Sequence, residues 1–333
     1  MITRDDVISA YSLLLGRQPE SDGAISSWLD SCSSTDELVV GIVGSEEFSK
    51  RATSIARKRT MDNFGRSDAL SSSKIKAEPN LVRWLRDLDS ISGWLSPGTA
   101  FMSAGLAQIQ AEHGYRGNIV EIGVYHGKYL TGLATTLLDG EKAIAIDVFD
   151  DQSKNADLVG YDEVGSSGIH DLTQQAFLDN AKRYCPNADI AVIQRSSLEV
   201  RPEDILSHGD KVRFFSIDGG HTLDVLLNDL HLAVATLAPH GIISIDDILN
   251  PQWPGIITGV VRFFDGETNL RPVAFVSNKL LCAFEPFANF YRKALLDIAP
   301  QAIQRRDVEF SNYTADQYQD GDEYDRFLAS ING

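Results

Sequence analysis

Between residues 118 and 245, five short apolar runs alternate with stretches whose apolar positions recur at helical spacing. Few folds accept that pattern. The runs are Asn118–Ile122, Ala143–Asp147, Ile190–Gln194, Arg213–Ile217 and Gly241–Ile245. Helices fit at Leu130–Leu138, Asp171–Tyr184 and Leu223–Leu237. Strand, crossover helix and strand in regular succession predict a parallel sheet in a doubly wound α/β fold. Beyond them, Pro272–Val276 and Leu280–Phe284 flank the polar turn Ser277-Asn278-Lys279, which predicts an antiparallel hairpin closing the sheet. The expected architecture is a seven-stranded sheet, five strands parallel and two forming the terminal hairpin, with a small all-α domain in front.

That front domain is placed at residues 1–65, where Val7-Ile8-Ala10-Tyr11-Leu13-Leu14-Leu15 and Leu38-Val39-Val40-Ile42-Val43 carry helical spacing. Gly16-Arg17-Gln18-Pro19 reads as a helix stop and Ser34-Thr35-Asp36-Glu37 as a helix start. A polar, Ser-rich linker is expected at 66–80, the α/β domain at 81–300, and an acidic C-terminal extension at 301–333. A chain of 333 residues is long enough for two domains. The net charge of −17 repels polyanions and argues against nucleic acid as a partner. Cys32, Cys185 and Cys282 are too scattered for a disulfide framework or a zinc knuckle. No apolar run reaches the roughly 20 residues of a membrane span, and the start lacks the pattern of a signal peptide. A cytoplasmic protein is expected, with association into a homo-oligomer left open.

One end of a binding site is legible at the turn after the first strand. Val120-Glu121-Ile122-Gly123-Val124-Tyr125-His126-Gly127-Lys128 leaves a strand and opens a helix, the place where ligands bind in such sheets. Gly123 and Gly127 suit a tight turn and a close backbone approach. The spacing E-x-G-x-x-x-G departs from the G-x-G-x-x-G that cradles a pyrophosphate. Asp147, about 25 residues further on at the end of the second strand, is set to accept hydrogen bonds from ribose hydroxyls. Ser197, after the third strand, is a candidate for the edge of a base.

The other end is acidic. Phe215-Ser216-Ile217-Asp218-Gly219-Gly220-His221 and Ile243-Ser244-Ile245-Asp246-Asp247 end strands expected to be neighbours, which would bring Asp218, Asp246 and Asp247 to one rim. Three crowded carboxylates need a cation to stay ionised, and a hard divalent ion such as Mg²⁺ meets that need. Such an ion would hold substrate oxygens and acidify a hydroxyl. His221 follows Asp218 after two glycines and is placed to take a proton as a general base. Trp253 in the next loop can cover a sugar ring with its apolar face.

Two resemblances add to this reading. Tyr11-Ser12-Leu13-Leu14-Leu15-Gly16-Arg17-Gln18-Pro19, Trp28-Leu29 and Ser45-Glu46-Glu47-Phe48 resemble the DUF4214 type of helical domain. Such domains accompany catalytic domains in bacterial surface-polysaccharide and glycoconjugate proteins. Residues 95–285 resemble the Rossmann-like class I methyltransferases, and within them the metal-dependent sugar O-methyltransferases of the macrocin type. That resemblance implies S-adenosylmethionine as cofactor, with S-adenosylhomocysteine as product. Contacts are implied at Glu121, Gly123, Tyr125, Gly127, Asp147, Ser197 and Asp218. Mg²⁺ is implied on Asp218, Asp246 and Asp247, His221 as base, and a small-molecule or glycan hydroxyl as acceptor. The acidic pair here is Asp-Asp where some relatives have Glu-Asp. Three alternatives stay open: a metal-independent methyltransferase, a hydroxylase (for which one histidine near the acids is too few), and a non-catalytic glycan-assembly binding protein.

Overall fold

The computed structural model describes residues 2–43, 45, 47–48, 75–151, 172–266 and 268–331. The chain divides into two compact units, Met1–Ala69 and Leu70–Gly333. In the first, α1 (Arg4–Ala10) runs into a π turn (Tyr11–Leu15), and α2 (Asp22–Ser31) and α3 (Thr35–Val43) follow. Thr3 and Asp6 cap α1 reciprocally, each side chain accepting from the other's backbone N–H. Gly16 ends the π turn at φ +64, a left-handed conformation that suits glycine. Ser34 accepts from the Glu37 N–H at 3.2 Å, so the start of α3 lies where its capping residues indicated. Val7, Tyr11, Ile25, Leu38 and Ile42 make the core, and the Trp28 indole N–H donates to the Tyr11 hydroxyl at 3.0 Å.

The second unit is α/β. It begins with α4 (Pro79–Arg86) and α5 (Pro97–Glu112), then β1 (Asn118–Ile122), α6 (Lys128–Ala134), β2 (Lys142–Asp147), α7 (Gln174–Tyr184) and β3 (Asp189–Gln194). Next come α8 (Pro202–Leu206), β4 (Val212–Ile217), α9 (Leu223–Thr236), β5 (Leu237–Ile245), α10 (Pro254–Asp265), β6 (Leu270–Val276) and β7 (Lys279–Phe284). Last are α11 (Glu285–Ile298), β8 (Ile303–Phe310), β9 (Tyr313–Tyr318) and α12 (Glu323–Ser330). Strands β1 to β5 are parallel and β7 joins β5 antiparallel, as the alternating pattern and the hairpin predicted. Residues 66–74 of the expected linker and Asp171 lie outside the described residues.

Among the described residues the sheet has nine strands, in the order β3-β2-β1-β4-β5-β7-β6-β9-β8, two more than the seven expected. The extra pair comes from the segment read as an acidic extension: β9 pairs parallel with β6, and β8 turns back along β9. Strand β8 reads Ile-Gln-Arg-Arg-Asp-Val-Glu-Phe and is exposed at most positions. An edge strand laced with charge carries little of the apolar signature by which strands are recognised. Asp316 of β9 is fully buried and held by Arg292 of α11 at 2.5 Å, which fastens the hairpin to the domain.

Two apolar layers cover the sheet. Ile119, Ala143, Phe214, Ile242 and Leu281 face one layer with Trp84, Leu106 and Leu133; Val120, Ile144, Phe215, Ile243 and Cys282 face the other with Leu226, Leu230 and Val260. Burial on both faces explains why the strands read as continuous apolar runs. The chain changes direction across the sheet at β1, flanked by β2 and β4. In such sheets that switch creates a crevice at the carboxyl ends of the strands.

Candidate functional site at the carboxyl rim of the sheet

At the tip of β1, Gly123 has φ +79, and a Cβ there would lie 1.8 Å from the Asp218 carbonyl oxygen. Glycine at this position therefore lets the β1 turn rest directly on the β4 turn. At Gly127, φ +75, a Cβ would lie 2.5 Å from the Phe177 ring. Tyr125 also has positive φ, and its N–H donates to Asp147 Oδ2 at 2.8 Å, while Phe149 N–H donates to Oδ1 at 2.7 Å. Asp147 thus staples the β2 tip to the β1 turn. Backbone groups of Val124 and Val148 add to these hydrogen bonds. Burial pushes the Asp147 pKa up, against the lowering effect of the backbone donors. A cleft of about 450 Å³ adjoins the tips of β2 and β3, lined by Asp150, Gln194 and the start of α7.

Glu121 and Ser197 lie inside the protein. Strand register puts Glu121 beside Ser216 and Ser216 beside Ser244, a polar row across three strands. Glu121 accepts from Ser216 at 3.2 Å and from the Leu130 N–H at 3.0 Å. Burial pushes its pKa up to about 8, against the charge of Lys279. Tyr129 completes the row, its hydroxyl donating to Ser103 at 2.8 Å and lying 3.4 Å from the Ser244 hydroxyl. Ser197, 7% exposed, bonds through its hydroxyl to Asp229 of α9, and its carbonyl accepts from Asn228 at 3.1 Å.

The structure brings Asp218, His221, Asp246 and Asp247 to one rim but sorts them into two groups. His221 Nε2 lies 2.7 Å from Asp247 Oδ2, and Asp247 Oδ1 accepts from Asn250 and Asn278, each at 2.8 Å. Burial alone would raise the Asp247 pKa; the hydrogen bonds from His221, Asn250 and Asn278 outweigh it and hold it low. Asp247 has φ +56, a costly conformation for a non-glycine residue that these three partners maintain. The Trp253 ring stacks on His221 at 4.3 Å and 16°. The imidazole is thereby fixed between a carboxylate and an indole. The Asp247 carboxylate at Nε2 favours the tautomer that carries the proton there.

The second group contains a residue that reads in the sequence only as part of a polar turn. Lys279 Nζ lies 2.5 Å from Asp246 Oδ2 and 3.5 Å from Asp218 Oδ2. Pairing of Ile245 with Leu280 puts the residue after β5 beside the residue that opens β7, so only the β5–β7 register could have revealed the pair. Burial opposes the charged ammonium, but Asp246 and Asp218 overcome it and hold the Lys279 pKa above its usual value. Asp218 is shifted well upward by burial and by the neighbouring charge of Asp246. The crowded carboxylates therefore already have a cation in Lys279. Ligand atoms of Asp218, His221 and Asp247 lie within 4.8 Å of one another. Two carboxylates and an imidazole at that separation fit a small divalent cation.

Residues 120–248 match a family model described as a methyltransferase domain. No curated protein matches the chain. Among solved structures, the O-methyltransferase NovP is 14% identical over 55% of this chain and 79% of its own, with a TM-score of 0.42. CalS11, a TDP-rhamnose 3'-O-methyltransferase of calicheamicin biosynthesis, is 14% identical over 65% of this chain and 100% of its own, with a TM-score of 0.40. An O-methyltransferase from Bacillus cereus, solved with SAH, is 14% identical over 69% and 97%, with a TM-score of 0.43. No helix among the described residues is long and apolar enough to cross a membrane.

Proposed function

We propose that the chain is an S-adenosylmethionine-dependent O-methyltransferase, acting on a hydroxyl of a saccharide or glycoconjugate. The observation that carries the reading is the convergence of two features on one sheet rim. These are the β1 turn stapled by Asp147, and the His221–Asp247 pair. When bound, S-adenosylmethionine supplies a methyl group on a sulfonium. Asp147 accepts from the ribose hydroxyls, and the cleft beside Gln194 and Asp150 takes the base. His221 Nδ1 receives the acceptor's proton, and Asp247 steadies the imidazolium that results. Trp253 holds the ring plane of His221, so the hydroxyl is met from one direction. Asp218 and Asp247 would hold Mg²⁺, which would supply Lewis acidity to a hydroxyl.

The saccharide class rests on the resemblance of the N-terminal unit to DUF4214 helical domains, a family-level argument. Calorimetric titration with S-adenosylhomocysteine tests the core of the reading. Wild type is expected to bind, and Asp147→Ala to bind at least about tenfold more weakly, the scale of losing charge-assisted hydrogen bonds. A wild-type protein that takes up no S-adenosylhomocysteine would refute the assignment and favour a non-catalytic binding protein.

A further inference from the structure

Lys279 is an unusual residue for the first position of an interior strand. Its side chain is 4% exposed, and its ammonium lies 4.8 Å from the centroid of the Tyr129 ring. Lysine is almost never buried unless paired. Here both partners are rim carboxylates, Asp246 at 2.5 Å and Asp218 at 3.5 Å. The platform is rigid, because the Tyr129 hydroxyl is tied to Ser103 and Ser244. Both oxygens of Asp246 are engaged within the protein, Oδ2 by Lys279 and Oδ1 by the Asp247 N–H at 2.8 Å.

We propose that Lys279 is the resident cation of the acidic rim: a positioning residue that holds Asp246 as its counter-ion and leaves Asp218, His221 and Asp247 to face a divalent cation and the acceptor. This rests on the reading of the rim as the chemical end of a methyltransferase site. A metal bonded to Asp246 Oδ2 would lie within about 4 Å of the ammonium, where like charges repel strongly at any dielectric below that of water. A metal on Asp247 meets no ammonium, since its partners are two amides and an imidazole. At Asp218 the ammonium is 1 Å farther off, 3.5 Å from Oδ2 against 2.5 Å at Asp246. Lys279 therefore lowers the charge of the rim by one and decides which carboxylates a divalent ion meets.

The test uses Mn²⁺ as the probe on the full chain, followed by electron paramagnetic resonance titration and by thermal unfolding. Asp246→Asn should leave Mn²⁺ affinity within about threefold, whereas Asp247→Asn should weaken it by more than about 100-fold, beyond the roughly 10–100-fold cost of losing a group that only orients a ligand. Lys279→Met should tighten Mn²⁺ binding by about tenfold or more, because Asp218 and Asp246 then lack a counter-charge. Its melting temperature should rise with Mn²⁺ more than that of wild type. If Lys279→Met does not fold, the charge-neutral pair Lys279→Met with Asp246→Asn replaces it and should bind Mn²⁺ like wild type.

The idea is overturned if Asp246→Asn loses Mn²⁺ as severely as Asp247→Asn, if Lys279→Met leaves the affinity unchanged, or if the double variant binds markedly more weakly than wild type. Titration of S-adenosylhomocysteine into the same samples separates the two claims. A protein that ignores the nucleoside refutes the methyltransferase reading, while the Mn²⁺ comparison still decides the role of Lys279.

Discussion

Asp229 makes the stability of the α/β unit depend on pH in a way that one substitution can isolate. Its side chain is fully buried in α9, and its Oδ2 has no hydrogen-bond partner among the described residues. It lies beneath the turn that carries Asp218 and His221, since a Cβ on Gly219 would come within 3.3 Å of Oδ2. Burial pushes its pKa from 3.8 up to about 6, although Ser197 and Asn228 pull the other way. A carboxyl whose folded pKa is raised contributes stability that is complete below pH 3.8 and is lost as pH climbs through about 6. That interval corresponds to about 3 kcal/mol at about 1.4 kcal/mol per pH unit. For a unit of this size the loss lowers the melting temperature by roughly 5–10 °C.

An asparagine in place of the acid has no proton to lose, so Asp229→Asn should remove this part of the decline. The variant should match wild type or fall slightly below it near pH 4 and exceed it by about 3 kcal/mol at pH 7.5. Urea unfolding at both pH values, followed by fluorescence, measures the difference. If the gap between the two proteins stays constant across that range, Asp229 is not titrating as its surroundings imply and the reasoning is wrong.

Two further substitutions probe the scaffold of the site. Gly123→Ala should destabilise by at least about 3 kcal/mol and abolish binding of S-adenosylhomocysteine, because the methyl would lie 1.8 Å from the Asp218 carbonyl at positive φ. A variant within 1 kcal/mol of wild type by urea unfolding (roughly, the scatter of surface changes) would show that the two strand tips are not locked together. Arg213 and Glu141 form an ion pair whose side chains are fully buried, with Arg213 also donating to the carbonyls of Ala107 and Thr136. Arg213→Met should cost about 3–5 kcal/mol, and adding Glu141→Gln should recover part of it, because an unpaired buried charge is the main penalty. Equal unfolding midpoints for the single and double variants would contradict that account.

Much of the site is legible in the sequence. Gly123, Asp147, Asp218, Asp246 and Asp247 all stand at strand tips, and each tip shows as an apolar run ending on a turn or an acid. Their roles are less visible. Asp147 holds backbone N–H groups of the β1 and β2 turns, Ser197 turns toward α9, and Glu121 lies within β1. These depend on which way a side chain faces after packing, and a one-dimensional pattern does not contain that direction.

The sequence by itself determined the alternation of strands and helices, the terminal hairpin, the glycine turn after β1 and the acids that end β2, β4 and β5. Local periodicity and turn chemistry act over a few residues, so they are written into neighbouring positions. Tertiary structure decided the rest: the β9–β6 pairing that adds two strands, the left-handed backbone of Asp247, and the split of the acidic rim by Lys279. Each of these joins segments far apart in the chain. Strand register and the exclusion of water select them, because a buried ammonium or carboxylate is tolerated only where a partner from another strand meets it.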